Sequence, residues 1–303
     1  MTIDQKFIDQ FVNITSKAAV DTHPLVGKKD KVAADRAAVD SMRKELNKLN
    51  IKGKIVIGEG ELDEAPMLYI GEKVGTTNGP EIDIAVDPLE GTNFAANNLP
   101  GALSVIAITE KNNLFNAPET YMKKISAKVN EKGIVDLDYS VRKNIFNLSE
   151  YLNKKPESIT ACVMDRLRHK DIINELNVLG VNIKLITDGD VSGALLVTDE
   201  KYGVDIFLGI GGGPEGVLAA AALDTFNCCF QGRFLFHTEE DKRRANKMGI
   251  NNLTKKYELD EIVKGDSIFC ATGITSGDLV SGIRTENNKF ITETLVTHKS
   301  TGL

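Results

Sequence analysis

The chain reads as an α/β fold in two subdomains, and three observations predict it. Two β-branched and apolar runs, Ile55-Val56-Ile57 and Ile82-Asp83-Ile84-Ala85-Val86, each lead into acidic residues held by Gly or Pro. Runs bounded in this way are buried strands ending in loops. From residue 147 onward, helical and strand-like segments alternate regularly, as stacked βα units do. A chain of 303 residues is also long enough for one large domain or two.

Residues 3–20 form the first expected helix, with Phe7, Phe11, Ile14 and Ala18 at three- and four-residue steps. A second covers about 31–50, with Ala34, Ala38, Met42, Leu46 and Leu49 on one face. Asp35 lies near its start, where an acid is also favoured by the helix dipole. Strands follow near 53–57, 82–86 and 102–108, then a loop through Asn116-Ala117-Pro118 and strand-like stretches to about 146. Helix 148–155 precedes strand 158–164, helix 169–179 precedes strand 182–187, and helix 191–198 precedes strand 204–209. A Gly-rich turn opens a helix over 215–225. A strand at 233–237, a charged helix at 239–248 and strands near 267–271 and 290–297 complete the pattern. No internal repeat or low-complexity tract interrupts it. A soft boundary near Lys154-Lys155-Pro156 divides 1–155 from 156–303.

Composition narrows the function. The apolar fraction is 42% and the charged fraction 26%, ordinary for a soluble globular protein. A net charge of −6 gives no broad basic surface, which argues against nucleic acid or an anionic membrane as partner. Cys162, Cys228, Cys229 and Cys270 fit no metal spacing and read as reduced core residues of a cytoplasmic protein. The N-terminus lacks a signal-peptide pattern, and the apolar stretch Val217–Leu223 is too short to span a bilayer.

Chemistry concentrates in two acidic clusters, Gly58-Glu59-Gly60-Glu61-Leu62-Asp63-Glu64 and Asp87-Pro88-Leu89-Glu90-Gly91-Thr92. Either alone also reads as a solvated loop. Together, at strand ends where open α/β sheets place ligands, they favour hard divalent cations with oxygen ligands, Mg²⁺ or Mn²⁺. Pro88 restricts Asp87 to an extended conformation, and the chain then turns, so Asp87 and Glu90 can face a shared point. Two ions bridged by such a carboxylate would suit phosphoryl displacement. Gly211-Gly212-Gly213-Pro214-Glu215-Gly216 satisfies G-x-G-x-x-G between a strand and a helix. It lies far from a first βα unit, however, and the next strand ends in Leu235-Phe236-His237 without the ribose-binding acid, so NAD is not expected. His23, His169, His237 and His298 are scattered, and His169 reads as a solvated helix start beside two arginines.

The Asp87–Thr92 segment resembles the metal motif of the lithium-sensitive, metal-dependent sugar and inositol phosphatases. IVIGEGELDEAPMLYIGEKVG at 55–75, NAPETYM at 116–122, DGD at 188–190, GIGGGPEG at 209–216 and ATGITSGDL at 271–279 resemble the bacterial class II fructose-1,6-bisphosphatases more specifically. The matches occur in family order over most of the chain. The resemblance implies a layered α/β/α/β/α sandwich of the sugar-phosphatase type, two subdomains with the active site between them.

It also implies roles, residue by residue. Asp35, Glu59, Asp87, Glu90 and Glu215 match the metal ligands, the last supplied by the C-terminal half. Asp63 and Thr92 resemble the acid and hydroxyl that position and polarise the attacking water. Glu90, Gly91 and Thr92 would meet the reacting phosphate, and Tyr121 resembles a phosphate-contacting phenol. Arg166 and Arg168 match the cationic pair for the phosphate that is retained, a task suited to guanidinium. Asp188 and Asp190 resemble acceptors for sugar hydroxyls, and Gly212 a backbone contact. Without the resemblance, the arginines read as an exposed helix start and Asp-Gly-Asp as a turn.

Three stretches depart from the family: Asn93-Phe94-Ala95-Ala96-Asn97-Asn98-Leu99-Pro100, where a basic or sulfur-containing run is common, the region after His237, which is shorter than usual, and the end soon after Thr297-His298-Lys299, where an extension is usual. The expected activity is metal-dependent hydrolysis of the 1-phosphate of fructose 1,6-bisphosphate by a cytoplasmic homo-oligomer, dimer or tetramer. Sedoheptulose 1,7-bisphosphate is the alternative substrate. Inositol or nucleotide phosphatase activity and a non-catalytic sugar-phosphate sensor are the remaining rivals.

Overall fold

A computed structural model describes residues 3–58 and 68–303. The chain divides into two compact units, the first built from Met1–Ala117 and Ile262–Leu303, the second from Pro118–Glu261. The compositional boundary near 155 is therefore not where the units part. Lys154-Lys155-Pro156 lies inside the second unit, because a strand from before residue 130 is the centre of that unit's sheet.

In chain order the first unit begins with α1 (Phe7–Thr22), α2 (Lys31–Leu46), β1 (Lys52–Ile57), β2 (Lys73–Val74), β3 (Glu81–Glu90), α3 (Thr92–Asn97) and β4 (Leu103–Glu110). The second carries β5 (Tyr121–Ala127), α4 (Val141–Tyr151), β6 (Thr160–Met164), α5 (Lys170–Val178), β7 (Asn182–Ile186), α6 (Asp190–Leu195), β8 (Ile206–Gly212), α7 (Gly213–Leu223), β9 (Cys229–Leu235), α8 (Glu239–Lys247) and β10 (Tyr257–Glu258). After α9 (Leu259–Ile262), the chain returns to the first unit as β11 (Ser267–Gly273), β12 (Arg284–Glu286), β13 (Lys289–Ile291) and β14 (Thr294–His298).

The first unit's main sheet has the order β14-β11-β4-β3-β1-β2. Among the described residues, β1 and β3 are the one parallel pair of this sheet. The apolar stripes of α1 and α2 cover it, with Phe7, Phe11, Ile14, Met42 and Leu46 packed on Ile55, Ile84, Ile106 and Ile268. The first helix starts later than its periodicity suggests. Ile3 instead donates its backbone N–H to Asp266 at 2.8 Å, which ties the preceding residues to the start of β11.

The second unit's sheet has the order β10-β9-β5-β8-β6-β7. Its β8-β6-β7 side is parallel, and β5 is antiparallel to both β8 and β9. Ser140 caps α4 by accepting from the Lys143 N–H at 3.1 Å, so this helix begins where the sequence suggested continuing strand. Asn144, Ile145 and Leu148 form its buried side. None of the four cysteines, all among the described residues, forms a disulfide, and burial pushes the Cys228 and Cys270 thiols up to about 12. Among the described residues, no helix is long and apolar enough to cross a membrane.

Candidate active site

The first unit builds its acidic turn by a local device. Asp87 on β3 pairs with Val105 on β4, and Glu90 pairs with Leu103. Three steps along β3 thus match two along β4, which is a β-bulge. Residues three apart on a regular strand face opposite ways. The inserted residue brings Asp87 and Glu90 to the same face. Pro88 is tolerated because it lies within this bulge, beyond Ala85, the last β3 residue paired with β1. Glu90 is only 5% exposed and Asp87 half-buried.

Gly91 then turns the chain at φ +76°, a conformation that favours glycine. A Cβ there would also come within 2.8 Å of the Phe94 ring. Thr92 opens α3, and its hydroxyl donates to the Leu89 carbonyl at 3.2 Å, which leaves the oxygen available as an acceptor.

Asp35 reaches this neighbourhood through packing. Ala34 and Ala38 on α2 lie in one cluster with Leu89, Phe94 and Ala95, and such small residues let the helix sit close to the turn. Asp30 is the residue that caps α2, accepting from the Ala33 N–H at 2.9 Å. Asp35 lies beyond the first turn of α2, so the helix dipole does not account for it. Asp35 is half-buried, and burial raises its pKa. Glu59 and Asp63 lie outside the described residues.

The second unit assembles its residues from separate segments. Parallel strands β7 and β8 flank β6 on opposite sides, so the connections leaving β6 and β7 run in opposite directions across the sheet. Ligand sites of open α/β sheets lie at such a switch, outside the carboxyl ends of the strands. The ends in question are Met164, Ile186 and Gly212, each followed by a segment singled out from sequence.

After β6 come Arg166 and Arg168. Arg168 donates from Nε to the Ile210 carbonyl at 2.9 Å, and its guanidinium lies 5.0 Å from the centre of the Tyr121 ring. Tyr121, 45% exposed, pairs with Gly212 across the β5–β8 ladder and packs edge-on against His237. Arg166 is half-buried and donates to the Asp165 carbonyl.

His169 is not a solvated helix start. It is fully buried and accepts at Nε2 from the Ile210 N–H, 2.8 Å away. Its Nδ1 therefore carries the proton and donates to the Met164 carbonyl at 2.7 Å. The imidazole staples the loop after β6 to β8, and burial lowers its pKa.

After β7, Gly189 adopts φ +82° between half-buried Asp188 and Asp190, which is 6% exposed. After β8, Glu215 sits in the first turn of α7. Burial is the main cause of its raised pKa. The Lys124 ammonium opposes that shift, and the Asp190 carboxylate reinforces it.

The glycines of the turn make room for these acids. A Cβ on Gly211 would come within 2.0 Å of Asp190 Oδ2, and one on Gly212 within 1.8 Å of Glu215 Oε2. Close carboxylate packing, with no reference to a dinucleotide, accounts for these two glycines of the G-x-G-x-x-G string.

Thus the second unit brings together Tyr121, Arg168, Asp190, Gly212 and Glu215, while the first gathers Asp87, Glu90, Gly91 and Thr92 with Asp35 nearby. Arg166 and Asp188 follow the ends of the adjacent strands β6 and β7. Among the described residues no three His, Cys, Asp or Glu side chains converge as a ligand set. The donors fit a hard cation by type: Asp35 and Glu215 are carboxylates whose charge burial disfavours, the circumstance in which bound metal is stabilising.

Lys124 escaped the sequence reading. In Tyr121-Met122-Lys123-Lys124-Ile125-Ser126-Ala127 it falls in alternation phase with Met122 and Ser126, on a buried face. A charge at that phase was the available signal.

A family model described as bacterial fructose-1,6-bisphosphatase, glpX-encoded, matches residues 5–303. The chain is 44% identical to a protein of Synechococcus sp. (strain CC9902) named D-fructose 1,6-bisphosphatase class 2/sedoheptulose 1,7-bisphosphatase, covering 97% of this chain and 92% of that one. A protein of the same name from Prochlorococcus marinus (strain MIT 9301) is 42% identical over the same shares. Among solved structures, one titled MJ0109 gene product inositol monophosphatase-fructose 1,6 bisphosphatase is similar at a TM-score of 0.37 and 16% identity, over 65% of this chain and 73% of that one. By the match to the family model and its curated relatives, this chain belongs to the glpX-encoded bacterial fructose-1,6-bisphosphatase family.

Proposed function

We propose that this protein is a cytoplasmic phosphoric monoester hydrolase that removes the 1-phosphate of fructose 1,6-bisphosphate, giving fructose 6-phosphate and inorganic phosphate, a gluconeogenic reaction. Mn²⁺ or Mg²⁺ is its cofactor, and the protein works as a homo-oligomer, dimer or tetramer. Family membership supports the reaction class. The observation that carries the reading is the β3 bulge, which sets Asp87 and Glu90 on one face directly before the Gly91-Thr92 turn.

Asp35, Asp87 and Glu90, with Glu59, are the first unit's oxygen donors for metal, and Glu215 is the second unit's. When bound, the ions would neutralise charge on the transferring phosphoryl group. Glu90, Gly91 and Thr92 hold the reacting phosphate. The Thr92 oxygen, already donating to Leu89, accepts from the attacking water, with Asp63 as the general base. Arg166 and Arg168 grip the phosphate that stays, the latter steadied by the Ile210 carbonyl and the Tyr121 ring. Asp188 and Asp190 accept from sugar hydroxyls, and Gly212 offers its backbone.

The names of the relatives favour one second reading, hydrolysis of sedoheptulose 1,7-bisphosphate by the same residues. The test is phosphate release by metal-stripped protein from each bisphosphate, with Mn²⁺, Mg²⁺ or no metal restored. Release from fructose 1,6-bisphosphate only with metal is expected, and the ratio of kcat/KM values ranks the two sugars. Folded protein inactive with every metal on both sugars would end the proposal.

A further inference from the structure

We propose that Lys124 is a positioning residue for the sugar, holding Asp190 and the Gly212 carbonyl in place from the middle of β5; this rests on the function proposed above. Lys124 is 1% exposed, and a buried ammonium is costly unless paired and hydrogen-bonded. Its Nζ is bonded to Asp190 Oδ2 and also donates to the Gly212 carbonyl oxygen at 2.6 Å. One side chain thereby links three chain segments: the centre of β5, the first residue of α6 and the last residue of β8.

The fold makes space for this side chain. Lys124 lies opposite Gly209 on β8 and Gly232 on β9, so neither ladder neighbour crowds it. Its Cδ lies 3.3 Å from where a Cβ of Gly216 would stand. A Cβ on Gly211 would displace the very Asp190 oxygen that Lys124 holds.

Stability alone explains the arrangement poorly. The desolvation of a buried ion pair offsets much of its attraction, and an apolar pair of similar size is often as stable. Asp190 moreover retains a second oxygen, Oδ1, that is buried and has no hydrogen-bond partner among the described residues. Leaving a buried acceptor unpaired carries the full cost of its desolvation. By engaging Oδ2, Lys124 fixes the plane of the carboxylate and so the direction of the buried, unpartnered Oδ1. On the function proposed above, a hydroxyl of the seated sugar supplies the donor that Oδ1 lacks. The bond to Gly212 sets the adjoining carbonyl, one residue from the start of α7 and three from Glu215.

The experiment is steady-state hydrolysis of fructose 1,6-bisphosphate at saturating Mn²⁺ by wild type, Lys124→Met, Asp190→Asn and the double variant, with thermal melting as the check on folding. Lys124→Met should raise KM at least about tenfold, more than it lowers kcat, the loss of a charge-assisted hydrogen bond to substrate. The double variant should lose no more kcat/KM than Asp190→Asn alone, since Lys124 acts through that carboxylate. A folded Lys124→Met with KM within twofold of wild type overturns the inference, and so do losses that multiply in the double variant. Should Lys124→Met leave an unpaired buried acid and fail to fold, the double variant, which carries neither charge, still decides. Wild type inactive on this substrate would fault the functional reading separately. Thermal stabilisation by fructose 6-phosphate then tests Lys124: loss in Lys124→Met and Asp190→Asn alike sustains it, and retention in Lys124→Met overturns it.

Discussion

The Asp87–Thr92 turn and the strand ends of the second unit gather polar residues by opposite routes. In the first, six consecutive residues suffice, because one bulge and one left-handed glycine set their directions. In the second, Tyr121, Arg168, Asp190, Gly212 and Glu215 come from four connections of one sheet and meet only when β5, β6, β7 and β8 are in register. A local site survives as long as its turn does. An assembled site depends on staples such as Lys124 and His169, which need not touch the substrate at all.

Substitutions at three residues probe that contrast. The largest effect is expected at the local site. Asp87→Ala should lower kcat by about 10³-fold or more, since metal assistance is worth several kcal/mol and each ~1.4 kcal/mol is tenfold. Its melting temperature should stay near that of wild type, and turnover within tenfold of wild type would remove Asp87 from the metal set.

At the assembled site, Arg168→Ala should raise KM about 10- to 100-fold with a smaller change in kcat, the scale of a charged hydrogen bond worth ~1.5–3 kcal/mol. Because Arg168 also bonds Ile210 and stacks near Tyr121, Arg168→Lys should recover only part of the loss. An unchanged KM would mean that the retained phosphate binds elsewhere.

The smallest effect concerns stability and the second staple. The folded state lowers the His169 pKa below its ordinary 6.5, so the neutral ring is the form that folding favours. This contribution is present in full above 6.5 and is lost as pH falls from there toward the folded value, while the unfolded chain takes up a proton that the folded chain refuses. The slope from one such group is at most about 1.4 kcal/mol per pH unit. Urea unfolding of wild type and His169→Gln between pH 7.5 and 5 should show a difference in stability that shrinks as the pH drops. A constant difference would mean that the ring is not held neutral.

The same contrast explains what could be read in advance. Pro88 and Gly91 advertise the acidic turn by their own backbone limits, and the periodicity of Phe7, Phe11, Ile14 and Ala18 announces a helix wherever that helix packs. Ser140 is an N-cap signal that strand-like neighbours obscured, and the position of α4 slipped accordingly. The unit boundary was hidden because β5 precedes the regular α/β alternation yet occupies the middle of its sheet. Arg168 and Asp190 could be singled out only through family resemblance, since an exposed arginine and a turn aspartate carry no distinctive local pattern. His169 read as solvated because its two partners, Met164 and Ile210, are revealed only by the β6–β8 pairing.

Sequence by itself determined the α/β class, most strands and helices, the acidic turn with its glycine, and the family. These follow from interactions among near neighbours, where spacing and backbone preference decide the outcome. Tertiary structure decided that Asp87 and Glu90 share a face, that Gly211 and Gly212 make room for carboxylates, and that Lys124 is a buried tie between three segments. Those outcomes depend on register between strands distant along the chain, and the free energy of a buried charge is set by partners that only the folded sheet brings within reach.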